Sequence, residues 1–196
     1  MARERDEEKR SAWKAGIAST APEQLKFLDE SACHLGFTRV CGWAKRGAVC
    51  AGKVPGNTGR RQSMVAVLSL QGIVSCALQP GSLKAEDFAR FIKEHVVAKL
   101  QAGDVLVLDN ARCHYSKQAK EAVEAIGARL LFLPAYSPDF SPIEMVWHQV
   151  KAGLRRECPR TLETLQERIK AGLEQVTPQT ARSYFAHCGY QTLQPQ

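Results

Sequence analysis

The sequence predicts an α/β fold: a mixed five-stranded sheet with helices on both faces. Three observations carry this. VLVLD (105–109) and ARLLFL (128–133) are continuous apolar runs, as expected of strands buried on both faces. Helix-spaced segments at 84–100 and 116–126 precede them, which is the alternation of βαβ units. SMVAVLSL (63–70) and GIVSCAL (72–78) flank a short turn at Gln71–Gly72 and read as an antiparallel hairpin. The chain of 196 residues fits one domain and is long enough to bury a core.

Taken in order, residues 3–18 have mixed charge with Trp13 on an apolar face, and Pro22 stops them. Residues 1–20 are expected to be a linker helix, 21–190 the domain proper and 191–196 a tail. QLKFLDE (24–30) reads as the first strand. Residues 33–61 contain glycines at 36, 42, 47, 52, 56 and 59 and no periodicity, so a long loop or hairpin is expected. In and just before 84–100, Leu83, Phe88, Phe91, Ile92, Val96 and Leu100 recur at helical spacing. Gly127 ends the next helix and Pro134 ends the last strand. Helices follow at 142–157, 162–176 and 178–186. The strands carrying Asp29 and Asp109 are expected side by side, with the acids meeting in a crevice at the strand ends.

Composition removes several function classes. No apolar run reaches the roughly 20 residues that span a bilayer, and MARERDEEKRSAW has no apolar core of a secretory signal. No membrane partner is expected, and the cytoplasm is the default location. Seven cysteines form no C-x-x-C pair and no zinc-binding Cys/His spacing, so they read as reduced small residues. Adjacent pairs such as Cys113–His114 rarely chelate one ion. The net charge is +7. No acid lies between Glu30 and Glu86, whereas Arg39, Lys45, Arg46, Lys53, Arg60, Arg61 and Lys84 do. Those basic residues are either a polyanion contact, with the first six as DNA-binding candidates, or a solvated basic hairpin. AGKVPGNTGR (51–60) fails as a phosphate loop because it lacks G-K-[ST].

Three carboxylates, Asp29, Asp109 and Glu144, close or open ordered elements, the pattern needed to hold divalent metal against a phosphodiester. Between Asp109 and Glu144 lie 34 residues. They hold one helix, one strand and one loop, a right-handed crossover that returns the chain beside its start. Each acid has a plainer reading. Asp29 and Asp109 could be strand-end turn residues. Ser141-Pro142-Ile143-Glu144 is a capping box, in which Glu144 would bond the Ser141 amide. Asp139 belongs to the Ser-Pro-Asp turn, where closing a loop is the expected role. His114 and Asn110 could orient water or touch DNA, and Trp147 reads as core.

D-N-x-x-x-H after a buried strand, then L-P-x-Y-S-P-D-x-x-P-I-E-x-x-W, resembles the pattern of mariner-like transposases and their bacterial insertion-sequence relatives. These belong to the DDE transposase/integrase superfamily, with an RNase H-like catalytic domain. Here the pattern is Asp109-Asn110 with His114, and Pro134 through Trp147; FLDES, TRVCGWAKRG (38–47), Tyr184-Phe185 and Cys188-Gly189-Tyr190 are also similar.

The resemblance implies an RNase H-like fold and a catalytic triad of Asp29, Asp109 and Glu144. It implies two Mg²⁺ ions, with Mn²⁺ as substitute. Asp29 and Asp109 would share one and Asp29 and Glu144 the other, for activation of water or a 3′-OH and stabilisation of the leaving oxygen. It further implies cleavage at transposon inverted repeats and joining of the 3′-OH to target DNA, commonly at TA. Asn110 and His114 become candidate supports in the first loop, and 39–61 the place of a loop that clamps a partner subunit or DNA. A homodimer on DNA and a location at a bacterial nucleoid follow from the same resemblance. Such proteins carry helix-turn-helix modules before the catalytic domain, so an upstream polypeptide could supply them. The alternative expectation is an inactive remnant that only binds DNA or dimerises.

Overall fold

The computed structural model describes residues 4–190; the expected tail at 191–196 lies outside them. Five strands form one sheet: β1 (Leu25–His34), β2 (Arg61–Ser69), β3 (Gly72–Pro80), β4 (Val105–Leu108) and β5 (Arg129–Phe132). Their order is β3-β2-β1-β4-β5. β1, β2 and β3 pair antiparallel, and β1, β4 and β5 pair parallel. This is the mixed five-stranded sheet of an RNase H-like fold, with β1 and β4 adjacent as the sequence leads one to expect.

Strand alternation gives the sheet two apolar faces. Phe27, Met64, Leu68, Val105 and Val107 join one core with α4 (Ile143–Glu157), α5 (Leu162–Glu174) and α6 (Pro178–His187). Leu28, Val65, Val67, Leu106 and Leu108 join the other with α2 (Ala85–Phe91) and α3 (Lys117–Glu124). Side-chain oxygens cap the starts of α3, α5 and α6. Ser116 accepts from the Ala119 amide at α3, Thr161 from Thr164 at α5 and Thr177 from Thr180 at α6. Gly72 makes the β2–β3 turn at φ +103, and a Cβ there would lie 2.6 Å from the Val176 carbonyl oxygen. Glycine is required at that approach.

Several elements differ from the sequence expectation. β1 continues to His34 instead of ending near Glu30, because its outer half pairs with β2 out to His34↔Arg61. Its pairing with β4 stops at Phe27↔Val107, so Asp29 sits within a strand yet just past the end of the parallel half. The helix from 85 is not uniformly α: Ile92–Val96 is a π turn and Val97–Lys99 a 3₁₀ turn. Residues four apart drift by about 40° per step on an α-helix, and one wide turn keeps Phe88, Ile92, Val96 and Leu100 on the buried side. Short 3₁₀ turns at Arg112–His114 and Pro138–Phe140 lie in stretches whose sequence carries no helical period.

The N-terminal helix α1 (Glu7–Ile17) begins at Asp6, whose side chain accepts from the Lys9 amide. It packs on the domain through Trp13, which stacks on Phe140 and donates to the Phe132 carbonyl at 2.9 Å. Among the described residues no helix is long and apolar enough to cross a membrane.

Candidate active site

Side-chain alternation places Asp29 on the face covered by α4, two residues beyond Phe27. Its neighbour Glu30 therefore points to the opposite face, covered by α2 and α3. Parallel pairing with β4 carries Asp109 to the same level, one residue past the end of β4. The crossover through α3 and β5 then returns the chain so that α4 opens with Glu144 in its first turn. Asp29, Asp109 and Glu144 line one cavity of about 430 Å³, together with Asn110, Tyr136 and Ser141.

Glu144 is not a helix cap. The Ser141 amide donates to the Pro138 carbonyl at 2.9 Å, and the residue capping α4 is Pro142, which offers no side-chain bond. The capping-box reading fails because the 3₁₀ turn at Pro138–Phe140 takes the amide that Glu144 would have used. Among the described residues, the Glu144 carboxylate makes no side-chain hydrogen bond. Asp139 has the opposite fate: Arg10 of α1 grips both its oxygens, at 3.0 and 2.6 Å, which holds its carboxyl below the usual range.

Asp29 and Asp109 are each fixed by a buried aromatic donor. Trp147 Nε1 donates to Asp29 Oδ2 at 2.9 Å. Trp147 is therefore core, as expected, and also a support from α4 for Asp29 on β1. His114, 0% exposed, places Nδ1 2.7 Å from Asp109 Oδ1 and Nε2 2.7 Å from Glu30 Oε2. Its ring packs on Phe88. The 3₁₀ turn at Arg112–His114 tucks the histidine beneath the strand ends, where it bonds to both acids. Burial opposes the His114 charge, but bonds to Asp109 and Glu30 outweigh it and hold the imidazole up at about 10.

The same bond, with one from the Ala111 amide at 2.9 Å, keeps Asp109 low against the cost of burial. Both contacts fall on Oδ1, so among the described residues Oδ2 has no hydrogen-bond partner. Asn110 donates to the Leu133 carbonyl and accepts from Tyr115 Oη, tying the loops after β4 and β5 together.

Asp29 bears the electrostatic cost of this convergence. Burial, then repulsion from Glu144 and Glu30, pushes its carboxyl up to about 7, with the Trp147 bond opposing. Burial raises Glu144 as well, with Lys151 opposing and Asp109 adding. Glu30 escaped the sequence reading although it adjoins Asp29. The period-two alternation of β1 was the available signal, because it sends the second acid of Asp-Glu to the histidine side. Among the described residues, Glu30, Cys113 and His114 are the group whose ligand atoms all lie within 4.8 Å of one another. They already bond internally, with Cys113 Sγ donating to Glu30 at 3.5 Å, so no ligand set stands open there.

The basic residues are elsewhere. Arg39, Lys45, Arg46, Lys53, Arg60 and Arg61 are all exposed along the β1–β2 loop and its exit. That loop is pinned at its base to the far end of α4. Arg39 Nε donates to the Arg156 carbonyl, and Arg160 donates to the Leu35 and Phe37 carbonyls at 2.9 and 2.8 Å. Twelve residues of helix separate Glu144 from Arg156, about 18 Å at 1.5 Å each. The structure does not bring these cations into the acid cavity.

A strand-end crevice in an RNase H-like sheet, lined by two aspartates and a glutamate, defines the class. The model for DDE superfamily endonucleases matches residues 24–166, and the chain belongs to that family. Solved structures share the fold at low identity. The mariner Mos1 paired end complex with Mg aligns at TM-score 0.68 and 14% identity, over 96% of this chain and 61% of that one. The catalytic domain of Mos1 mariner transposase aligns at 0.59 and 13%, over 98% and 97%. A pre-cleavage Mos1 transpososome aligns at 0.59 and 16%, over 95% and 61%. The chain thus spans about three fifths of the length of the Mos1 chains in those complexes. No curated protein matches it.

Proposed function

We propose that this chain is the catalytic unit of a DDE transposase: a divalent-metal-dependent endonuclease that cuts at transposon ends and transfers the freed 3′-OH into target DNA. The observation that carries the reading is the convergence of Asp29, Asp109 and Glu144 on one cavity, each on a different element. Family membership supports endonuclease chemistry. Neighbours whose names record complexes with Mg and with Mn, and a strand transfer complex, support the metal and the second reaction.

The donor set fits a hard cation. All three groups are carboxylates, and Asp29 is driven up to about 7 largely by burial and by repulsion within the cluster. Asp29 and Asp109 would hold one ion, and Asp29 and Glu144 a second. Bound there, the ions would supply Lewis acidity for the attacking hydroxyl and neutralise charge on the leaving oxygen. The chain's own contribution is positioning. Trp147 fixes the orientation of Asp29, and His114 with the Ala111 amide fixes Asp109 through one oxygen. The uncapped Glu144 keeps both oxygens available.

The basic β1–β2 loop would contact DNA or a second copy of the chain. Trp43, Val40 and Val49 stand fully or nearly exposed beside its cations, which favours a protein surface for part of it. The test is nicking of labelled DNA with Mg²⁺ or Mn²⁺. Wild type should cut, while Asp109→Asn and Glu144→Gln should lose at least about 100-fold. Wild-type cutting no better than Asp109→Asn refutes the proposal.

A further inference from the structure

Tyr136 is the residue at this site that neither the fold nor the acid cluster explains. It has φ +56, and among the described non-glycine residues only Cys158 shares a positive φ. Cys158 has an ordinary reason, since it ends α4 with its amide bonded to the Leu154 carbonyl at 2.8 Å. Tyr136 ends no helix. It occupies the left-handed region in the loop after β5, where glycine would sit without steric cost.

Packing offers no compensation. The Tyr136 ring is 55% exposed, and its hydroxyl makes no hydrogen bond among the described residues. Outside the β1–β2 loop, the exposed large apolar side chains are Tyr115 and Tyr136. Tyr115 is accounted for by stacking on Phe132 and its bond to Asn110. Tyr136 instead lines the cavity of Asp29, Asp109 and Glu144. Its loop is held on both sides: the Leu133 amide donates to the Leu108 carbonyl at 2.7 Å, and Ser137 is buried with Oγ on the Ala135 carbonyl. A costly backbone conformation on an anchored loop presents an unused aromatic face to a reactive crevice.

We propose that Tyr136 is the stacking platform for an unpaired nucleobase next to the scissile phosphate. This rests on the endonuclease reading and adds to it the form of the bound strand. The crevice walls are acidic, so a ring that binds without charge supplies affinity where phosphate contacts cannot. Every base has a π-face, so this contact tolerates any sequence. A base inside a duplex is already stacked on both sides, so the ring selects a frayed, splayed or single-stranded nucleotide.

The test uses the full chain and a single-stranded oligonucleotide of alternating 2-aminopurine and thymine, with Ca²⁺ replacing Mg²⁺ to hold the complex uncut. Wild type and Tyr136→Phe should quench the fluorescence and bind alike. Tyr136→Gly should lose the quench, bind about tenfold more weakly, and melt at the same or a higher temperature because the backbone is relieved. Full quench and affinity in Tyr136→Gly overturn the proposal. So does loss of both in Tyr136→Phe, which would assign the role to the hydroxyl. A lower melting temperature for Tyr136→Gly also overturns it, because the ring would then be a packing element. Nicking of labelled DNA by the wild type is scored separately. Cutting with no dependence on Tyr136 sinks this inference alone, whereas ring-dependent quenching without cutting sinks the endonuclease reading.

Discussion

At the scale of single residues, Asp29 and His114 both favour low pH, over different windows. Asp29 is raised from 3.8 to about 7 in the fold. Between those values the folded chain holds a proton that the unfolded chain has released, so this group's contribution to stability declines as pH rises from about 4 to 7. Asp29→Asn keeps an oxygen for Trp147 and removes the decline. The variant should match wild type near pH 4 and melt several degrees higher at pH 8 without metal. A gap that does not grow with pH would discard the account. Mg²⁺ should then raise the wild-type melting temperature at pH 8 and leave the variant almost unmoved, as metal replaces the proton.

His114 is raised from 6.5 to about 10, so its stabilisation is complete below about pH 6.5 and disappears toward pH 10. His114→Ala leaves Glu30 and Asp109 without their shared partner and should cost about 3 kcal/mol in urea unfolding at pH 6. A cost under about 1 kcal/mol would mean the bridge is not formed. The sequence made His114 a candidate through D-N-x-x-x-H. Its burial was hidden because the Arg112–His114 turn has no periodic signal.

At the scale of elements, the informative contact is α1 against the loop that leads into α4. Arg10 is 4% exposed, holds Asp139 through two bonds and lies over the Phe140 ring at 3.9 Å. The Ser-Pro-Asp turn read as a loop-closing feature, but its partner 129 residues away left no trace in local sequence. Arg10→Ala should cost about 2 kcal/mol, the range for bonds to charged groups, and lower the melting temperature by roughly 4–8 °C in a domain of this size. Because that loop delivers Glu144, DNA nicking should also fall in Arg10→Ala well below the melting temperature. Unchanged nicking would make α1 a passive brace. α5 and α6 were legible almost to the residue because caps and apolar stripes agree, and α4 through its apolar stripe alone. The π turn after α2 was not, since spacing of three to five residues fits α and π alike.

At the scale of the whole molecule, the β2–β3 hairpin and the adjacency of β1 and β4 were legible in the sequence, because a hairpin and crossovers leave few topologies. The path of residues 35–60 did not follow. Glycine-rich chain without alternation specifies no pairing, and its anchors are carbonyls gripped by Arg160 from the α4–α5 turn. The net charge of +7 is nevertheless concentrated there, with no acid between Glu30 and Glu86. Arg60 and Arg61 make no ion pair among the described residues, whereas Arg39 spends its Nε on the Arg156 carbonyl. If the two arginines neutralise phosphates, each contributes about 0.9 to the slope of log binding constant against log salt on duplex DNA. Replacing both with alanine should therefore flatten that slope by about two, weaken binding evenly across unrelated sequences, and leave melting unchanged. Asp29→Asn should keep the wild-type slope. An unaltered slope in the double variant would place this loop against protein instead of DNA, and the exposed Trp43 would then be its principal contact.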